Sequence, residues 1–183
     1  MASAPRTNPA APAAPSLGSL PTLAVILSAL GVALGGVVLF IHHRLAASQG
    51  AYISFCDISA KLSCDVVLGS SYAKVLGIPV AAWGTASYLV AGAMSLALRG
   101  TRGDALLRVA LTLAGFTGAM LGISVYFFVV STAVIGVGCP MCLSLDAVNV
   151  ALFAVAVAIV RALRASAPPG WPSPGIFLLC AAL

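Results

Sequence analysis

Three long stretches of this chain carry no charged side chain, and a fourth carries only Asp146. They run from Leu20 to Ile41, from Val75 to Leu98, from Val109 to about Ser131, and from near Cys139 or Leu143 to Val160. A helix crosses the hydrocarbon core of a bilayer with about 20 apolar residues. In lipid, each backbone N–H and C=O must be satisfied within such a segment. Four spanning helices are therefore predicted, the second over Pro79–Leu98, because proline suits a first helical turn. The chain is 61% hydrophobic and 7% charged, where a soluble domain carries about 25% charge. That excludes a soluble globular enzyme and also a disordered chain, which would be polar. The fold class is an all-α integral membrane protein: a four-transmembrane-helix bundle with an extracytoplasmic loop or cap that carries a cysteine pair. Residues 1–19 read as a disordered Ala/Pro-rich tail and 20–163 as the membrane domain. Residues 164–183 read as a C-terminal tail or the start of a truncated fifth helix, with Cys180 in it either inert or part of that helix. The run from Leu20 is too long for a signal peptide, and His42-His43-Arg44 closes it where a cleavage site would stand.

The net charge is +5, from nine Lys/Arg against four Asp. The bases are scattered singly, without the basic stripe that nucleic-acid binding needs, so they are read as loop charges that set topology. Arg6, Arg99, Arg102, Arg108, Arg161 and Arg164 fall on one side, and Arg44, Lys61 and Lys74 on the other. The positive-inside rule makes the richer side cytoplasmic. Both termini then lie inside, and the 45–78 segment and the 132–138 connection lie outside. Gly31 and Gly35 have the small-xxx-small spacing of close helix contacts and are read as packing.

This orientation puts four of the five cysteines on the outer side: Cys56 and Cys64 in the 45–78 segment, Cys139 and Cys142 at the end of the last helix. Cys180 stands apart. Cys139-Pro140-Met141-Cys142 is a C-x-x-C at a helix start, where the dipole lowers a thiol pKa. Competing readings are half of a zinc site, haem attachment, or two inert cysteines. Zinc needs a better second ligand pair than Cys56/Cys64. Haem attachment needs a His where Leu143 stands. Redox chemistry is the reading adopted. Cys56 and Cys64 alone fit a structural disulfide equally well. Beside a C-x-x-C on the same face they fit a relay, in which a mobile loop pair meets an aqueous thiol partner and passes electrons inward. Within a bilayer the fitting two-electron acceptor is a lipid-soluble quinone. No metal site is expected.

These residues resemble the vitamin K epoxide reductase family. The likeness rests on Cys56-Asp57-Ile58-Ser59-Ala60-Lys61-Leu62-Ser63-Cys64, Ser70 six residues on, Gly77-Ile78-Pro79 before the second helix, and the Cys139–Cys142 motif. It covers about residues 20–163. It implies a four-helix bundle around a quinone, with Cys139/Cys142 as the active-site pair and Cys142 attacking the quinone. It also implies that Cys56 meets the partner and that Ser70 supports the loop and the ring. Vertebrate members carry a Tyr where Asp146 stands and an Asn within the stretch that here reads Pro79 to Trp83. These departures speak against epoxide reduction, and the Gly77-Ile78-Pro79 pattern resembles the bacterial type: a DsbB-like enzyme that oxidises a thioredoxin-like (DsbA-type) thiol protein and reduces ubiquinone or menaquinone, supporting disulfide formation in exported proteins. Its setting would be a bacterial inner or cell membrane. Two alternatives stand beside it: a vertebrate-type vitamin K quinone or epoxide reductase, and a non-enzymatic membrane scaffold stapled by two disulfides.

Asp146 lies one turn beyond Cys142, on the same helix face. An acid in a membrane span is a functional candidate, here for proton relay or a hydrogen bond to a ring oxygen, with Asn149 as a weaker candidate. Trp83 is a candidate for stacking on the ring, although Trp83 and Tyr88 more commonly serve as interface anchors or core. Tyr126, Phe127 and Phe128 are read first as packing, Asp57 as a turn residue, and His42 and His43 as interfacial anchors.

Overall fold

The computed structural model describes residues 17–48 and 51–165. Residues 1–16 of the predicted tail, Cys180 and the rest of 166–183 lie outside them. Four helices are long and apolar enough to cross a membrane: α1 (Leu20–Ala47), α3 (Val80–Gly100), α4 (Asp104–Val129) and α5 (Pro140–Ala165). Between the first two lies a cap at one end of the bundle. It contains a hairpin of β1 (Asp57–Ser59) and β2 (Leu62–Ser63) and the short helix α2 (Cys64–Gly69). A 3-10 turn (Ser71–Ala73) and a second hairpin, β3 (Lys74–Val75) with β4 (Ile78–Pro79), complete it.

The helices outrun the charge-free stretches that predict them. α1 continues through His42-His43-Arg44, α4 starts at Asp104 rather than Val109, and α5 runs past Arg161 to Ala165. Charged side chains at a span's end reach the interface on their long stems, so they need not terminate the helix. The expected 132–138 connection also shrinks. After Val129 the helix widens into a π-helical turn, Val130–Ile135, and stops at Gly136, whose φ of 76° is left-handed. Ser131 secures this end: its hydroxyl donates to the Val137 carbonyl (2.6 Å) and its carbonyl accepts from the Val137 N–H (3.1 Å).

α1 packs against α3 and α5, and α4 against α5 and α3. The glycine pair makes the α1–α3 contact close. A Cβ on Gly31 would fall inside the Tyr88 ring, and one on Gly35 would meet the Thr85 hydroxyl. Tyr88 is buried, and its hydroxyl donates to the Leu145 carbonyl of α5 (3.0 Å), so one side chain ties three helices together. Buried hydroxyls inside the spans donate back along their own helix: Ser28 to Ala24, Ser95 to Ala91, and Thr117 to Leu113. That satisfies them where no water is present. Ile26, Phe40, Leu89 and Val150 are exposed on the outer faces, which suits a surface solvated by acyl chains.

Candidate redox site and its cavity

The two cysteine pairs meet because the cap backbone is stitched to the strand of chain that leads into α5. The Ser63 N–H donates to the Gly138 carbonyl, and the Gly138 N–H donates to the Lys61 carbonyl, both at 2.9 Å. Gly138 lies so close to β2 that a Cβ would stand 3.0 Å from the Leu62 side chain. Ser63 then caps α2, its hydroxyl accepting from the Val66 N–H (3.2 Å). This sets Cys64 as the first residue of α2, directly against Cys139.

Cys56 is bonded to Cys64 and Cys139 to Cys142. The Cys64 and Cys139 sulfurs lie 3.7 Å apart, in contact. Three of the four are closed off from the surface: Cys56 is 3% exposed, Cys64 0% and Cys139 1%. They sit in an apolar cluster with Val38, Ile41 and Leu68. The Cys142 N–H points at the Cys139 sulfur (3.2 Å), a donor that would stabilise negative charge there after reduction.

The cap pair, read from sequence as lying in a mobile loop, sits in a hydrogen-bonded segment. The Ser54 hydroxyl contacts the Cys56 sulfur at 3.3 Å. The Ser54 N–H donates to Asp65 Oδ2 at 2.9 Å, which holds the 52–56 segment against α2. Asp65 Oδ1 is buried without a hydrogen-bond partner among the described residues. Asp57 opens β1 and its N–H closes a turn onto the Ser54 carbonyl (3.1 Å).

Below the cap, among the four long helices, lies a cavity of about 580 Å³. Cys139 and Cys142 line it, and so do Ser70, Trp83, Asp146 and Asn149, the four residues singled out for ring binding. The remaining wall is mostly apolar and includes Phe127 and Phe128. Tyr126 is exposed on the far side of α4, its ring edge-on to Phe127. A mostly apolar cavity with a few convergent polar groups beside a disulfide sulfur matches the general form of a small-molecule site.

Three polar features of this region escape a reading of the sequence. Ser124 on α4 accepts a hydrogen bond from the Asn149 amide, and its hydroxyl also meets Asp146. No pattern marks it, since serine is common in apolar helices. Asp65 is overshadowed by the cysteine before it. His42 is not an exposed anchor: it is 7% exposed, and its Nδ1 lies 3.1 Å from the Leu68 carbonyl of α2. The cap folds back over the end of α1 and covers it.

Compared with known families, the chain matches the vitamin K epoxide reductase family over residues 22–157, a span that includes both cysteine pairs and every cavity residue named above. No curated protein matches the chain.

Proposed function

The chain belongs to the vitamin K epoxide reductase family and is a membrane thiol oxidoreductase; from that premise we propose that it carries electrons from a thioredoxin-like partner, through Cys56/Cys64 and Cys139/Cys142, to a quinone. The observation that supports this most is the contact of Cys64 with Cys139 at 3.7 Å. Thiol–disulfide exchange needs a thiolate beside a disulfide sulfur, and this contact joins the inner sulfur of one pair to the outer sulfur of the other.

The bonds exchange in order. A thiolate of the partner attacks Cys56, and Cys64 leaves as thiolate. Cys64 attacks Cys139, breaking the Cys139–Cys142 bond and releasing the Cys142 thiolate beside the cavity. The partner's second thiol displaces Cys56 and completes the partner's disulfide. Cys56 then displaces Cys139 from Cys64, which restores the cap pair. Two electrons now reside on Cys139 and Cys142, and giving them up re-forms that bond. A quinone, ubiquinone or menaquinone, supplies the oxidant when bound, accepting two electrons and two protons. Trp83 and the neighbouring aromatics would hold its ring. Asp146 and Asn149 would meet its oxygens, Asp146 would move a proton, and Ser70, whose hydroxyl donates to the Val67 carbonyl, would support the loop beside the ring. The setting proposed is a bacterial cell membrane, and the Lys/Arg distribution supports an orientation with the cap outside and both termini inside. There the activity would support disulfide formation in exported proteins.

The test is a trap. In Cys56→Ala/Cys142→Ala the relay keeps only Cys64 and Cys139, and mild oxidation is expected to join them in a new disulfide visible by mass spectrometry. In parallel, the unaltered protein should reduce a short-chain ubiquinone or a menaquinone analogue anaerobically with dithiothreitol, and Cys142→Ser should not. Absence of the Cys64–Cys139 bond, or full turnover in Cys142→Ser, would overturn the relay.

A further inference from the structure

The reaction proposed above, on which this inference rests, loses protons in one place and needs them in another. Two leave the partner's thiols at the cap, and two are required at the ring oxygens inside the cavity. A second hollow lies on the cap side, a cleft of about 840 Å³ whose mixed lining includes Tyr52, Asp57, Asp65 and Lys74. Asp57 and Asp65 directly follow Cys56 and Cys64, so the cleft wall adjoins the two segments that carry the cap sulfurs. Cleft and cavity share three wall residues: His42, Leu68 and Ser70. Leu68 is apolar, and the Ser70 hydroxyl is committed to the Val67 carbonyl (2.7 Å). His42 is the member of that shared wall with a titratable side chain. A carbonyl can only accept, so the Nδ1 that meets Leu68 carries the hydrogen, and Nε2 is the basic nitrogen.

We propose that His42 carries protons from the cap cleft to the cavity: Nε2 takes up a proton released at the cap and delivers it to a ring oxygen as Cys142 gives up its electrons. The balance closes. For each partner dithiol oxidised, two protons leave its thiols and two are taken up at the ring oxygens, and His42 returns to neutral imidazole after each transfer. Lys74 lines the cleft with His42, and His43 is the neighbour of His42 in α1. Arg44 follows in α1, Asp57 and Asp65 face the cleft, and Asp146, Tyr72 and Tyr88 face the cavity.

His42→Asn keeps a donor for the Leu68 carbonyl and removes the titration. His42→Gln removes it with a longer side chain, so that a failure to fold in one variant leaves the other. With dithiothreitol and a short-chain ubiquinone, turnover is expected to fall about 10²-fold, the lower end of what a positioned proton-transfer group contributes. Added imidazole should restore part of it, and a pH inflection of the unaltered enzyme should vanish. Without quinone, dithiothreitol should reduce both cysteine pairs in the variants at unaltered rate, read by alkylation and mass. Histidine-selective 15N NMR of the quinone-free protein should show His42 protonated at Nδ1 and titrating at Nε2. Turnover within twofold of the unaltered enzyme, slowed reduction of the pairs, or a His42 that does not titrate would each overturn the assignment. If the unaltered protein reduces no quinone while the Cys64–Cys139 trap still forms, the quinone reading itself fails, and this inference with it.

Discussion

At the scale of single residues, chemistry and placement are encoded differently. The four cysteines announce themselves by spacing, because exchange needs paired sulfurs, and the C-x-x-C falls at a helix start where its thiolate is favoured. What joins the pairs is less visible. Gly138 lets β2 lie against the strand that leads into Cys139, and nothing local marks it, since its partner Leu62 is remote in sequence. Ser124 and His42 are hidden for the same reason: their partners Asn149 and Leu68 sit on other elements. Gly138→Val tests the clamp. A branched side chain there must displace Leu62, and such overpacking costs about 1–3 kcal/mol. Each 1.4 kcal/mol is roughly tenfold in population, so the yield of the Cys64–Cys139 disulfide in the Cys56→Ala/Cys142→Ala background should drop about tenfold or more. Reduction of Cys139–Cys142 by dithiothreitol should be spared. Gly138→Ala, whose Cβ presses on the flexible end of Leu62 and only touches the Lys61 carbonyl, should give a yield between those of the valine variant and the glycine parent. An undiminished yield in the valine variant would show that the backbone pairing does not hold the sulfurs together.

At the scale of elements, the spans were legible and the cap was not. Hydropathy needs a long run to register, and the spanning helices supply it. Strands of two or three residues leave no room for the alternation that reveals a strand, and β1 is exposed throughout. The cap therefore reads as a loop, although it folds into two hairpins and a helix that shut over the cysteines. This closure has a consequence for the partner. Cys56 is 3% exposed, so a protein thiol reaches it only when the 52–56 segment lifts away, a local opening with its own free energy. The bond from the Ser54 N–H to Asp65 opposes that opening. Hydrogen bonds to charged groups contribute about 1.5–3 kcal/mol. Asp65→Ala should therefore speed reduction of the Cys56–Cys64 pair about tenfold or more, measured by timed alkylation under limiting dithiothreitol. Asp65→Asn, which keeps an acceptor, should show a smaller gain. Reduction at unaltered rate in Asp65→Ala would mean that the segment opens by a route this carboxylate does not control.

At the scale of the whole molecule, the redox chemistry and most of the described basic residues lie at opposite ends. The cap, both disulfides and the cavity gather where α1 ends and α5 begins. Arg99, Arg102, Arg108, Arg161 and Arg164 gather at the other end, around the 101–103 turn and the end of α5. Lys61 and Lys74 are the cap's bases, with Arg44 at the end of α1. Four spans return the chain to the side on which it started. The Lys/Arg bias should hold the arginine-rich end in the cytoplasm, which leaves the sulfurs facing the oxidising compartment where disulfides persist. This arrangement would give the relay its direction: protein thiols arrive from outside, and the electrons leave sideways into the lipid from a cavity still within the bilayer. Ala60 is exposed in the β1–β2 turn, and Thr101 lies in the turn between α3 and α4. In a Cys180→Ser background, an impermeant maleimide applied to intact cells should label Ala60→Cys and spare Thr101→Cys until the membrane is opened. The reverse pattern would turn the molecule over, placing the cap in a reducing compartment where the Cys56–Cys64 pair would be kept as thiols and net oxidation of a secreted partner could not be sustained.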